Sequence, residues 1–163
     1  MLNMEKIAIT VIIIFIQTGC WNSRWSDEER KEFKTKCLNT NNFNIHPIEF
    51  RGFDNNEFDS ILVKEYNNAV WVDSFKIYVS PSHPAEKIRQ SNIHRVMNIH
   101  YKYKFMIPGQ KPIELANMKM VMWPQFTQRS EGYGCIMGDY TIDGVRFENG
   151  NPIFIKQTNI IDK

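Results

Sequence analysis

The sequence predicts an all-β protein, an antiparallel β-sandwich preceded by one short N-terminal helix, on three observations. Ile99, Tyr101, Tyr103, Phe105 and Ile107 alternate with His100, Lys102, Lys104 and Met106, the period of a strand with one face in a core and one in water. About seven short segments rich in β-branched and aromatic residues follow one another, divided by Pro, Gly, Asn and Asp. One stretch, SDEERKEFKTKCLN from Ser26, carries the start and stop signals of a helix.

That helix is expected over 27–38. Ser26 and Glu29 match a capping box, Asp27 and Glu28 add negative charge where the helix dipole is positive, and Lys31, Lys34 and Lys36 follow toward the other end. Phe33 and Cys37 lie on one face with Leu38 beside them, a narrow apolar stripe to press onto the domain. Asn39 to Asn44 breaks it.

A first strand is expected around Phe43, Ile45, Ile48 and Phe50, irregular at Pro47, and a second over 58–66 before the Asn67-Asn68 turn. Val70, Val72, Phe75, Ile77 and Val79 make a third, with Trp71 read as core and a kink near Asp73-Ser74. Residues 85–95 have helix formers but only Ile88 and Ile93 to bury, so a short helix or a loop is expected there. The alternating strand at 99–107 turns at Pro108-Gly109; single strands are expected over 113–123, 133–142 and, after Asn149-Gly150, 152–157. Tyr140 is read as core. Such a series fits an immunoglobulin-like or transthyretin-like sandwich, the alternative being an α+β fold with the helix on a single curved sheet.

Composition narrows the function classes. With 42% hydrophobic and 23% charged residues the 163-residue chain is globular, and 20 Lys and Arg against 18 Asp and Glu leave +2, so bulk charge points to no nucleic-acid partner. The amino end is different in kind. Lys6 precedes IAITVIIIFI at 7–16, whose ten residues span about 15 Å, half of a bilayer core of about 30 Å, which suits a signal-peptide core and not a spanning helix.

The segment closes on Thr18-Gly19-Cys20, and here the chain resembles a bacterial lipoprotein signal with its lipobox, Gln17 standing where that family usually has an aliphatic residue. The resemblance implies lipid on Cys20, cleavage before it, and anchoring to the cell envelope, with Trp21 compatible with outer-membrane sorting. Two or three acyl chains supply the multiple signals that stable anchoring needs. The alternative is an ordinary secreted protein cleaved nearby. On this reading 1–19 is the leader, 20–25 a lipidated tether, and 26–163 one sandwich domain with its helix.

Cys37 and Cys135 then remain in an oxidising compartment and are expected to pair, two separate buried thiols being the alternative. No nucleophile elbow, phosphate loop, dinucleotide fingerprint or HExxH occurs, and His46, His83, His94 and His100 share no ligand spacing, so no metal or cofactor is expected.

Two surfaces are candidates for binding. Arg95, His100, Lys102 and Lys104 offer cations, the last three on the solvent face of one strand, which can meet an acidic partner or simply block edge aggregation. The loop expected from Trp123 to Gly134, at the end of the sandwich, brings Trp123, Phe126, Arg129 and Tyr133 together as aromatic and polar anchors for a sugar or peptide. Met118, Met120 and Met122 alternate just before it, so Trp123 by itself reads first as core, the end of a Met-rich packing face. The leading reading is a lipid-anchored extracytoplasmic binding module, non-catalytic, with an envelope protein or glycan as partner. The alternatives are a small envelope hydrolase acting on glycans and an immunity-type or inhibitor-type protein docking another protein.

Overall fold

The computed structural model describes residues 25–44, 47–126, 131–148 and 150–157. Cys20, His46 and Arg129, and the side chain of Phe126, lie outside what is described.

Helix α1 (Asp27–Leu38) has the expected bounds and the expected cap: the Glu29 amide donates to Ser26 Oγ at 3.2 Å and the Ser26 amide to Glu29 Oε2 at 2.6 Å. Cys37 is its one buried residue; Phe33 is half-buried and Leu38 exposed, so the apolar stripe is narrower than the sequence suggests.

The rest is β. Strands β1 (Asn42–Asn44), β2 (Ile48–Arg51), β3 (Ser60–Asn67), β4 (Val70–Tyr78) and β5 (Ser80–His83) lead into one 3-10 turn, Pro84–Glu86. Then come β6 (Ile88–Ser91), β7 (Val96–Asn98), β8 (Tyr101–Met106), β9 (Ile113–Ala116), β10 (Met120–Phe126), β11 (Glu131–Met137), β12 (Asp139–Ile142), β13 (Val145–Glu148) and β14 (Ile153–Ile155). A six-stranded sheet, β13-β12-β9-β8-β3-β4, packs on a four-stranded one, β14-β2-β6-β5. Two short ladders, β1-β7 and β10-β11, complete the fold. Every pairing is antiparallel except β14 with β2, where the last strand returns parallel to the second.

One core joins the two large sheets. Phe105 of β8 meets Phe154 of β14 at 4.8 Å between ring centroids, and Phe154 meets Phe50 of β2 at 5.5 Å. Phe53 and Phe58 close the cluster at 5.2 Å from each other. Each such ring removed from water contributes about 1.5–3 kcal/mol. The alternation in β8 holds, with Tyr103 and Phe105 buried and Lys102 exposed.

Several expectations need correction. The described residues hold fourteen strands where about seven were expected, because long runs divide. The run from 113 to 123 breaks at Asn117, whose φ of 53° is left-handed, and its partner breaks at Gly138, where a Cβ would sit 2.5 Å from Val121 Cγ1. The register survives the break: Ala116 opposes Thr141, and four residues on in each strand Met120 opposes Met137. Asp143 and Gly144, both at positive φ, form a tight turn that ends the 133–142 run as the sequence indicates, but the strand it leads into, β13, was not expected. Residues 85–95 hold only the end of a 3-10 turn and a loop at 92–95, and between them lies an unexpected strand, β6, with Arg89 wholly buried. The expected kink in β4 is a bulge: Asp73 opposes Glu65 but Trp71 opposes Tyr66, leaving Val72 as the extra residue. Trp71 is consequently 59% exposed and not core, whereas Tyr140 is buried as expected.

Arg89 is a structural charge. Its Nη1 donates to Asp54 O at 3.0 Å and its Nη2 to Val79 O at 3.2 Å, with the guanidinium 4.8 Å over the Phe58 ring. Asp59 is its ion partner at 3.6 Å. The second fixture is covalent, a disulfide from Cys37 of α1 to Cys135 of β11, with Cα atoms 5.3 Å apart.

Replacing both cysteines by Ser is expected to lower the unfolding free energy by about 2–5 kcal/mol. Chemical denaturation measures this, while non-reducing peptide mapping of exported protein should show Cys37 and Cys135 linked. Arg89→Leu, which removes the side-chain donor to Val79 O and one of two donors to Asp54 O, the other being the Glu57 amide, should cost about 2–5 kcal/mol in the same assay. A neutral effect would mean that Arg89 merely fills space.

Candidate functional site

The hairpin β10-β11 carries three of the four residues expected to bind, and it separates two of them. In its register Trp123 opposes Gly134, and Pro124 opposes Tyr133, so Trp123 and Tyr133 project from opposite faces. Tyr133 faces α1: its ring lies 5.1 Å from Trp25 and 6.5 Å from Phe33, while Trp25 meets Phe33 edge-on at 5.4 Å. Cys135 shares this face and makes the disulfide. Tyr133 therefore helps hold the helix on the hairpin. Trp123, on the other face, is 47% exposed, so the packing-face reading fails for it while Met118 and Met120 are buried.

The cation row is partly compensated. Lys102 and Lys104 both approach Glu114, at 3.4 and 3.8 Å, and Lys104 also stands over the Tyr66 ring at 5.3 Å. His100 Nε2 lies 3.0 Å from Asn41 Oδ1. Arg95 is not part of that row, because it belongs to a polar cluster on the inner side of β3 and β4.

In that cluster Arg95 Nη2 contacts Glu65 Oε2 at 3.1 Å and Asp73 Oδ2 at 2.8 Å, with the guanidinium 4.8 Å over Phe75. Glu65 follows Ile61 and Val63 in the inward phase of β3 and is only 4% exposed. Its removal from water raises its pKa, against the attraction of Arg95, with Asp73 adding repulsion. Asp73 is lowered, first by the hydrogen bond from Arg95 and then by the Ser74 amide, which donates at 2.7 Å. Tyr103, fully buried beside them, has its pKa pushed up by desolvation; its hydroxyl donates to Asn98 O at 3.2 Å and accepts from Asn98 N at 2.8 Å. Both carboxylates are spent on one guanidinium nitrogen, which makes this a clamp between strands and a poor acid-base pair.

The cavity beside the clamp is the best candidate site. Ser80 of β5 opposes Gln90 of β6, but beyond that pair the two chains part: β4 joins β3, and residues 92–95 run on toward β7. Between them opens a groove of about 570 Å³, lined by Phe75, Lys76, Ile77 and Tyr78 on one side and by residues 92–95 on the other. Ile77 and Ile93 are both buried and form its floor. β4 is the last strand of its sheet, so its outer edge of N–H and C=O groups borders this groove unpaired. None of the groove-lining residues carries a carboxylate. The sequence reading missed it because it forms where two strands diverge, which has no local signature; a charged Glu65 in an apolar phase was the nearest clue.

Compared with known protein families, with curated proteins and with solved structures, the chain gives no match. Function rests on the geometry alone.

The clamp sets opposite pH dependences for its two acids. Glu65, with its folded pKa above the unfolded value near 4.5, binds more protons when folded, so its contribution falls as pH rises through that window. Asp73, lowered from 3.8, contributes stability above that value and loses it as pH falls. As pH rises past 4.5, Glu65→Gln should therefore gain stability relative to the parent, and as pH rises toward 3.8, Asp73→Asn should lose it. Urea unfolding across pH checks both signs.

Proposed function

We propose that the protein is a lipid-anchored, extracytoplasmic binding module of the bacterial cell envelope, with no catalysis of its own. The observation that carries this reading is the Cys37–Cys135 disulfide, since such cross-links persist in oxidising compartments and not in a reducing cytoplasm. It agrees with an export leader at 7–16 and with Thr18-Gly19-Cys20 as a lipidation signal.

The architecture suits an anchored module. Five residues of chain reach at most about 18 Å, so lipid on Cys20 keeps Trp25, and with it α1 and the ring of Tyr133, close to the membrane. Asn68, Asn117 and Met118 line one small pocket, so the hairpin leaves the body at the β3–β4 turn, while the groove lies along the far half of β4. An anchor there leaves the groove open to a partner. Trp123, exposed on the hairpin, is then a membrane-side surface or a second contact for an envelope protein or glycan. A glycan hydrolase is the weaker reading, because that chemistry needs two working carboxyl groups in the cleft. The groove is lined by none, and Glu65 and Asp73 are both tied to Arg95.

Cys20→Ser is expected to shift the protein from the detergent-extracted membrane fraction to the soluble fraction and to abolish an acyl mass on the native chain. Unchanged fractionation with no acyl mass on the parent would remove the anchor from this reading.

A further inference from the structure

We propose that the groove beside β4 takes one extended acidic polypeptide segment of a partner protein, which adds to the free edge of β4 as a further strand. The proposal rests on the binding-module reading and names its partner class; it does not depend on lipid at Cys20.

Three features define the occupant. The edge asks for a polypeptide: β4 ends its sheet, and among the described residues no backbone hydrogen bond joins it to residues 92–95. An added strand supplies amide and carbonyl groups in register, which a glycan does not. The four residues Phe75–Tyr78 offer about 13 Å of edge.

The floor asks for apolar side chains in one phase. Phe75 and Ile77 point inward, opposite Val63 and Ile61, and Ile93 faces them across the groove. A neighbouring strand would therefore set alternate side chains on these three residues.

The outer phase asks for acid. Lys76 opposes Leu62, and Lys64 opposes both Ser74 and Lys104, so the outer surface beside the β4 edge holds three lysines. Among the described residues Lys64 and Lys76 make no ion pair, and Glu114, on the same face, is taken by Lys102 and Lys104. Arg95 is neutralised by Asp73 and closes the Phe75 end. A second copy of this chain fits poorly, since its own β4 would bring Ser74, Lys76 and Tyr78 to that face and set lysine against lysine.

The test selects peptides of random sequence, displayed on phage, against the exported full-length protein in detergent. The expected winners alternate apolar residues with Asp or Glu. Resynthesised with N-methyl groups on alternate backbone amides, a winner should lose at least tenfold in affinity in one phase and keep it in the other, because an edge strand bonds through every second residue. Lys76→Glu should weaken binding by about tenfold and Lys76→Gln by less, with thermal unfolding unchanged in both. No enrichment, winners without acidic residues, or equal loss in both N-methyl phases overturns the proposal. The acyl mass on Cys20, read on the same preparation, reports the anchor separately.

Discussion

Arg89 places a charged guanidinium where no water reaches it, and the arrangement of both sheets depends on how that charge is satisfied. It donates to Val79 O, at the single residue between β4 and β5, where the chain leaves the six-stranded sheet and enters the four-stranded one. It also donates to Asp54 O in the loop after β2 and lies on the face of Phe58. A charge so placed is costly unless every partner is positioned. The sandwich meets it at both terminal nitrogens by fixing the crossover, the 52–59 loop and β6 at one point, while the buried Nε has no hydrogen-bond partner among the described residues. The divergence of β4 from residues 92–95, and hence the groove, begins one turn of ladder away, at the Ser80–Gln90 pair.

The polar cluster at the other end of the groove solves a related problem with a different balance. Glu65 is buried in an inward phase, and its desolvation is offset by Arg95, which it shares with the more exposed Asp73. Tyr103 ties the β7–β8 turn to the same place through both backbone groups of Asn98. Arg89 is satisfied mainly by carbonyls and Arg95 by carboxylates. The groove therefore lies between two fixed points, and at one of them Arg95 spans from wall to wall, over the Phe75 ring.

Legibility in the sequence followed locality. The capping box of Ser26 and Glu29 and the alternation of 99–107 are written in neighbouring residues, and both elements appear as read. The disulfide was legible because compartment and cysteine number constrain it. The residues 85–95 misled because β6 buries Arg89, and a periodicity scan treats Arg as a surface residue. Trp71 misled because the bulge at Val72 shifts the phase of β4, and a bulge is set by the partner strand. The breaks at Asn117 and Gly138 were hidden since the register passes through them unchanged. Of the residues expected to bind, Trp123 and Tyr133 were read as parts of one loop, but both lie within paired strands, and only the pairing shows that they occupy opposite faces.

The Cys37–Cys135 bond has a mechanical meaning as well as a thermodynamic one. With a sequence separation of 98, it closes a covalent ring around β1 through β10. Tension applied between the amino terminus and the carboxyl terminus passes from α1 through the sulfur atoms directly into β11. The backbone inside the ring cannot be drawn out by that tension, and load reaches it only sideways, through the ladders of β12 on β9 and β14 on β2 and the packing of Phe154. For a protein tethered at its amino end to a moving surface, the extensible chain is α1 and the strands after Cys135, while the strands that wall the groove stay covalently closed.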